Sequence, residues 1–155
     1  MKIIALVAAG LLGFSGAAYG QVVRAGAPTA PISSIVVAPL TGKMAFVAGA
    51  TAGAVPGGGP RTDNTEAQTF ITLTKIKETL ESQGFTMGDI VMLRVYLVAD
   101  PNKGGAVDRE GMTTAYKKFF GTTEQPNKPS RTTIQVAGMG NGGLVEIDAQ
   151  AVHTP

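Results

Sequence analysis

The chain has 155 residues, a formal net charge of +2 at pH 7, no cysteine and one histidine. Without cysteine, thiol nucleophiles, disulfides and cysteine-bound metals are excluded, and a histidine near the C-terminus, His153, leaves no basis for an imidazole metal site. Neither the small charge excess nor the 6% aromatic content is typical of a nucleic-acid-binding surface, so we expect no metal and no nucleic-acid partner.

The first 20 residues are typical of a secretory signal peptide. Lys2 follows the first methionine, an apolar stretch covers residues 3–12, and small residues precede Gln21. We therefore expect cleavage after Gly20 and a mature chain that is exported, periplasmic or secreted, and not associated with a membrane. The apolar stretch is short for a transmembrane span, and an uncleaved membrane anchor is the alternative.

Residues 21–34 are predicted to form an extended lead-in, because Ala, Gly and Pro dominate their first part and no hydrophobic period is present. Two short apolar runs follow at residues 35–38 and 44–49. Since Pro39 and Gly42 mark a turn between them, these runs predict a β-hairpin. Residues 50–61 are rich in Gly and Pro and predict a loop.

A first amphipathic helix is predicted over residues 64–83, where apolar side chains recur at steps of three and four. Asp63 and Glu66 have the spacing of a capping box at its start, and Gly84 is a suitable stop. Residues 90–99 then form a long run rich in Val, Leu and Tyr. Such a run predicts a central strand that is covered on both faces.

A second helix is predicted over about residues 106–120, with strands over residues 131–136 and 144–152. The order of elements predicts an α+β fold, with both helices on one face of the sheet. Because two helices cannot cover both faces, we expect other subunits to cover the second face.

Arg131 and Glu146 are the candidate functional residues, each placed at a predicted strand. An arginine at the mouth of a strand can hold a carboxylate through two parallel hydrogen bonds, and a glutamate one strand away can position or deprotonate a water. The alternative is an ordinary cross-strand ion pair between the two side chains.

An ordered set of short motifs resembles the Rid/YjgF family of small trimeric proteins. The motifs are NTEAQT at 64–69, GDIV at 88–91, VYL at 95–97, AYKKFF at 115–120, PSRT at 129–132 and VEIDAQAV at 145–152. Each is widespread alone, whereas their order and spacing are more specific. The resemblance implies one α+β domain over residues 35–155 with a chorismate-mutase-like fold, a mixed sheet and a homotrimer with clefts between subunits.

The resemblance also implies an activity and the residues that carry it. Family members that keep the arginine hydrolyse reactive enamines and imines of 2-amino acids to 2-oxo acids and ammonia. In this scheme Arg131 grips the carboxylate of the 2-imino acid, Glu146 helps to position the attacking water, and Gly49 supplies backbone contacts. No cofactor is needed.

The chain departs from the family pattern around the expected cleft. Ile32 replaces an aromatic hydroxyl, Ala48 stands where a serine is usual, and Thr133 replaces a cysteine. Ile32 and Thr133 are therefore expected substrate-binding positions in a less polar pocket. Such a pocket would accept a different or more apolar acid, or it would belong to a catalytically inactive protein that binds small carboxylic acids or acts protectively, like a chaperone.

Overall fold

A four-stranded sheet carries two helices on one of its faces. The structure is a computed structural model that describes residues 20–39 and 41–154. The predicted signal peptide lies almost wholly outside the described residues, so cleavage and export stay predictions. The strands and helices are β1 (Val23–Ala25), β2 (Ile35–Val37), β3 (Lys43–Thr51), α1 (Thr65–Glu81), β4 (Ile90–Leu97), α2 (Arg109–Tyr116), β5 (Ser130–Gln135) and β6 (Val145–His153).

The main sheet has the strand order β3, β6, β4, β5. Strand β6 runs antiparallel to both of its neighbours, whereas β4 and β5 run parallel. The sheet is therefore mixed, and β4 is an internal strand as its apolar sequence predicts. Together with the helices on one face, this arrangement confirms the predicted α+β fold.

The predicted hairpin between residues 35–38 and 44–49 is wrong. Strand β2 pairs instead with β1 in a separate two-stranded sheet, with Val23 opposite Val37, while β3 pairs with β6. Gly42, with φ of +98°, passes so close to the carbonyl of His153 that a side chain would not fit there. The turn before β3 therefore directs that strand to β6, and part of the predicted lead-in supplies the partner of β2.

Helix α1 begins one residue later than the predicted capping box implies. Asn64 is the N-cap, and its side chain accepts a hydrogen bond from the amide of Ala67 at 2.9 Å. Glu66, the predicted partner of Asp63, instead pairs with Lys118 at 3.0 Å. The helix ends close to the predicted stop at Gly84, which has φ of +76°.

Helix α2 is shorter than predicted, because Asp108 rather than an earlier residue caps its start. The Asp108 side chain accepts a hydrogen bond from the amide of Gly111 at 2.9 Å. After Tyr116 the backbone continues in turns, in which Phe119 donates to the Tyr116 carbonyl at 3.0 Å, and Gly121 follows with φ of +73°.

The hydrophobic core lies between the helices and the sheet. Alternate residues of β4 and β6 point into it, and the buried face of α1 packs over them. The largest contributors from these three elements are Leu73, Ile76, Leu80, Ile90, Leu93, Leu97 and Ile147. Burying each such side chain contributes about 1.5–3 kcal/mol to folding.

The other face of the sheet is open in the single chain. Arg94 and Tyr96 on β4 point to this face, and Phe46 on β3 is 74% exposed and Met44 52%. An exposed apolar patch of this kind is typical of a contact surface. Within the described part of the chain, no helix has the length and apolar character needed to cross a membrane.

Candidate active site

Glu146 lies on the open face of the sheet, at the beginning of β6. It is directly opposite Thr51 of β3 and Tyr96 of β4 in the strand register. Among the described residues no group donates a hydrogen bond to its carboxylate, and none forms an ion pair with it. The carboxylate is therefore available to a water or a ligand.

Gly49 leaves the space that the Glu146 side chain occupies. A Cβ atom at Gly49 would lie 3.0 Å from the Glu146 Cδ and closer still to Oε1. The register of β3 against β6 is irregular between Val47 and Ala50, and this irregularity brings the glycine backbone up to the carboxylate. The structure thus brings together two of the predicted site residues, Gly49 and Glu146.

Two adjoining cavities share Glu146 as part of their walls. The smaller, of about 260 Å³, is lined by Gly49, Tyr96, Val136, Gly138, Met139, Glu146 and Asp148. The larger, of about 360 Å³, extends past Thr51 towards Arg61 and Gln68. A small organic acid fits spaces of this size.

The smaller cavity has a fixed polar wall that sequence reasoning missed. Asp148 receives two hydrogen bonds from Arg94 Nε, at 2.8 and 3.1 Å, and one from the Tyr96 hydroxyl at 3.1 Å. The hydrogen bond to Asp148 raises the pKa of Tyr96, so the side chain stays a neutral phenol. Tyr96 lies beside Glu146 because β4 pairs with β6, and this pairing cannot be deduced from the residue types alone.

Gln68 of α1 holds the glycine-rich wall of the larger cavity. Its amide nitrogen donates to the carbonyls of Asp63 and Gly142, both at 3.0 Å, and its amide oxygen accepts from the Leu144 amide at 2.9 Å. Because this fully buried side chain joins the start of α1 to the segment before β6, it fixes where Glu146 enters the sheet.

Arg131 lies on the opposite, helix-bearing face, where Tyr116 supports it. The guanidinium carbon is 4.4 Å from the centre of the Tyr116 ring, and Nη1 is 3.7 Å from the sulfur of Met112. The Tyr116 ring in turn stacks on Phe120 at 4.7 Å. Burial lowers the pKa of Arg131 from its ordinary value, although an arginine stays charged at neutral pH.

Arg131 and Glu146 do not meet within one chain. Arg131 on β5 is opposite Leu93 of β4, which points into the core, whereas Glu146 on β6 is opposite Tyr96, which points to the open face. The two side chains therefore lie on opposite faces of the sheet. Two strand spacings and three residues of strand length separate their Cα atoms by about 14 Å. The cross-strand ion pair, considered as the alternative role for these residues, is therefore not formed.

Thr133 and Ile32, the other two predicted site residues, lie apart from each other in the fold. Thr133 is on the same side of β5 as Arg131, and its hydroxyl oxygen is buried without a hydrogen-bond partner among the described residues. Ile32 lines a cavity of about 200 Å³ with Arg24 and Lys128. Next to it, the Ser33 amide donates to the Pro129 carbonyl at 3.0 Å, which ties the N-terminal lead-in to the start of β5.

No metal site accompanies these groups in residues 20–39 and 41–154, where no three His, Cys, Asp or Glu side chains converge.

Comparison with known proteins places the chain in a family. A family model described as "Endoribonuclease L-PSP" matches residues 17–153. The chain is 36% identical over 87 residues to a RutC family protein of Haemophilus influenzae, which covers 56% of this chain and 62% of that protein. It is 39% identical over 83 residues to the 2-iminobutanoate/2-iminopropanoate deaminase of Capra hircus, covering 54% of this chain and 53% of the deaminase. The chain thus spans between half and two thirds of the length of these curated relatives.

Solved structures show the same fold. A protein of unknown function of the conserved Rid protein family, YyfB from Yersinia pestis, superposes with a TM-score of 0.62 at 26% identity, covering 79% of this chain and 87% of that one. The YjgF gene product from E. coli superposes with a TM-score of 0.57 at 28% identity, covering 73% and 83%.

Proposed function

Because the chain belongs to the Rid/YjgF family, we propose that it hydrolyses reactive 2-enamine and 2-imine acids to 2-oxo acids and ammonia. Relatives named 2-iminobutanoate/2-iminopropanoate deaminase, 39% and 37% identical over 83 residues, support this reaction. The match covers 53% of the length of each of those proteins. The proposal therefore also rests on the chemistry of this chain's own residues.

The observation that carries the proposal is the state of Arg131. Its guanidinium carbon lies 4.4 Å from the centre of the Tyr116 ring, and the side chain belongs to no ion pair among the described residues. A partly buried arginine without an acidic partner is costly unless an anion binds it. A planar guanidinium suits the carboxylate of a 2-imino acid, which it can hold through two parallel hydrogen bonds.

Glu146 supplies the second requirement, an oriented water. Its carboxylate accepts a proton from a water that adds to the carbon of the protonated C=N group, which forms a carbinolamine. The proton then moves to the nitrogen, and the C–N bond breaks as the hydroxyl returns its proton to the Glu146 carboxylate, so that ammonia and a 2-oxo acid are the products. Because the imine carbon is already electrophilic, holding it beside an oriented water supplies much of the rate enhancement.

We infer that the two halves of each site come from neighbouring subunits of a homotrimer. Arg131 and Glu146 lie on opposite faces of the sheet in one chain, so a single subunit cannot present both to one small acid. The exposed apolar side chains on the open face, such as Phe46, give a second copy a surface to bury.

The primary test is ammonia release from a freshly generated 2-imino acid. We expect Arg131→Ala to abolish it while size-exclusion chromatography shows an unchanged oligomer. Lys117→Ala, which removes an exposed cation at the end of α2, is the matched control and should retain full activity. Equal rates for wild type and Arg131→Ala would contradict the proposed function.

A subunit-mixing experiment tests the shared site separately. Arg131→Ala and Glu146→Gln are each expected to be inactive alone. In randomly mixed trimers, one interface in four would pair an intact arginine with an intact glutamate, so about a quarter of wild-type activity should return. If no activity returns from verified mixed trimers, the shared site is wrong, whereas the hydrolytic activity of wild type would stand.

The alternative function is a catalytically inactive protein that binds small carboxylic acids. Ile32 and Ala48 favour it, because each lacks a hydroxyl that the family pattern has at that position, and Thr133 alters a third position. Binding of a 2-oxo acid that depends on Arg131, with no imine turnover above the uncatalysed rate, would select this alternative.

Nuclease activity, which the name of the family model suggests, is not part of the proposal. Asp148 in the cavity beside Glu146 is neutralised by Arg94, and the carboxylate of Glu146 has no cationic partner among the described residues, so this cavity offers a phosphate backbone no net positive charge.

A further inference from the structure

We propose that Arg109 is a second anion-binding residue of this site and that the preferred substrates are 2-imino derivatives of four- and five-carbon dicarboxylic acids. The inference rests on the proposed function, since it assigns Arg131 to the first carboxylate of the substrate and Arg109 to the second.

Helix α2 places Arg109 on the face that supports Arg131. Arg109, Met112 and Tyr116 are separated by three and four residues, so they share one side of the helix. Met112 and Tyr116 contact the Arg131 guanidinium, while Arg109 Nη1 donates to the Thr133 carbonyl at 3.5 Å. The helix therefore aligns a second cation with the first.

The two arginines reach neighbouring positions of β5. Arg109 Nη1 contacts the carbonyl of Thr133, whose Cα is about 7 Å along the strand from that of Arg131. Both arginines therefore serve the same stretch of β5, and a diacid of four or five carbons is the ligand that we expect to bridge them.

Acidic side chains do not compensate these two arginines. Arg61 and Arg94 are ion-paired with Asp63 and Asp148, whereas neither Arg109 nor Arg131 belongs to an ion pair in the described part of the chain. After burial, which is the larger cause, the nearby charge of Arg109 also lowers the pKa of Arg131. Two like charges held together are stabilised when an anion binds between them.

The charges of the assembled site also favour two carboxylates. Arg109 and Arg131 contribute two positive charges to the carboxylate-binding part of the site, whereas Glu146 of the neighbouring subunit faces the group at C2 of the ligand. A monocarboxylic ligand leaves one of the two arginines unbalanced, whereas a dicarboxylic ligand balances both. Electrostatic complementarity of this kind selects among ligands of similar size.

The test compares binding of 2-oxoglutarate and 2-oxobutanoate, as stable product-like probes, by titration calorimetry. We expect wild type to bind the diacid about ten-fold more tightly, which is the effect of one additional charge-assisted contact. Arg109→Gln should remove this preference and change the affinity for 2-oxobutanoate by less than about two-fold. Lys117→Gln, the matched control at the C-cap of the same helix, should keep the preference.

The outcomes separate this inference from the proposed function. Equal affinity of wild type for both acids, or an equal loss for both in Arg109→Gln, would show that Arg109 does not bind the second carboxylate and would overturn the inference. In that case imine turnover that depends on Arg131 would leave the proposed function intact. If wild type neither binds the acids nor releases ammonia from imines, both are wrong.

Discussion

At the scale of single residues, the carboxylate of Glu146 depends on a neighbour without a side chain. Gly49 does not have a positive φ, so its backbone conformation is open to any residue and the requirement is one of space. The motifs in the sequence were sufficient to select Glu146 and Gly49 as candidates, and the structure places the two side by side. They were not sufficient to find Tyr96 and Asp148, because their position beside Glu146 depends on how β4 is paired with β6.

Gly49→Ala tests this requirement. The added Cβ would overlap the Glu146 carboxylate and displace it, so we expect ammonia release to fall at least ten-fold, equivalent to about 1.4 kcal/mol in the barrier. The melting temperature should change little, because the change leaves the core intact. Gly138→Ala is the control: Gly138 lines the same cavity, but no heavy atom lies within 4 Å of its added Cβ. Equal losses in both variants would show that the effect is not specific to Glu146.

At the scale of elements, the start of α1 is anchored by a buried acid from the loop after β4. Asp100 is fully buried and accepts hydrogen bonds from the Thr65 hydroxyl at 2.8 Å, the Thr65 amide at 3.2 Å and the Asn102 amide at 2.8 Å. Burial alone would raise the pKa of Asp100, but these hydrogen bonds outweigh it and hold the pKa below its ordinary value.

Asp100→Asn should therefore change how stability depends on pH. Because the folded pKa is lower than the unfolded value near 3.9, the ionised acid stabilises the fold at neutral pH, and this contribution is lost as pH falls below about 4. We expect the variant to be about 1–3 kcal/mol less stable at pH 7, with a smaller difference from wild type in acid. Urea unfolding at several pH values measures this. Glu78→Gln, an exposed change on α1, should leave the stability profile unaltered.

The positions of the helices and strands along the chain were largely predictable. The error concerned which strands pair with each other. Periodic apolar residues located α1 and α2, and the long apolar run located β4 as an internal strand. The hairpin prediction failed because a turn sequence shows that the chain reverses direction without showing which strand it then joins. The close approach of Gly42 to His153 is a contact across 111 residues, and no local pattern contains it.

At the scale of the whole molecule, the open face of the sheet is the feature that one chain leaves incomplete. The excess of apolar residues over what two helices can cover was enough to predict an uncovered face. The sequence could not show that Arg131 and Glu146 lie on opposite faces, since this follows from the combined registers of β5, β4 and β6.

Phe46→Asp tests whether subunits associate through this face. A charge at a side chain that is 74% exposed should not disturb the fold of one chain, but it would be buried in a subunit contact. We expect native circular dichroism, dissociation to monomers in light scattering at micromolar concentration, and loss of ammonia release. Thr79→Asp, on an exposed part of α1, should remain associated. A Phe46→Asp protein that stays trimeric would assign the contact to another surface.

The stacked ring beneath Arg131 also provides a way to observe the site directly. The chain contains no tryptophan and three tyrosines, so its ultraviolet absorbance and emission near 280–300 nm come mainly from tyrosine. Tyr116 lies against Arg131 and Tyr96 lines the cavity of Glu146, which means that two of the three chromophores border the two halves of the proposed site. Intrinsic fluorescence and near-ultraviolet circular dichroism of the unlabelled protein should therefore report occupancy, with Tyr116→Phe and Tyr96→Phe separating the two contributions.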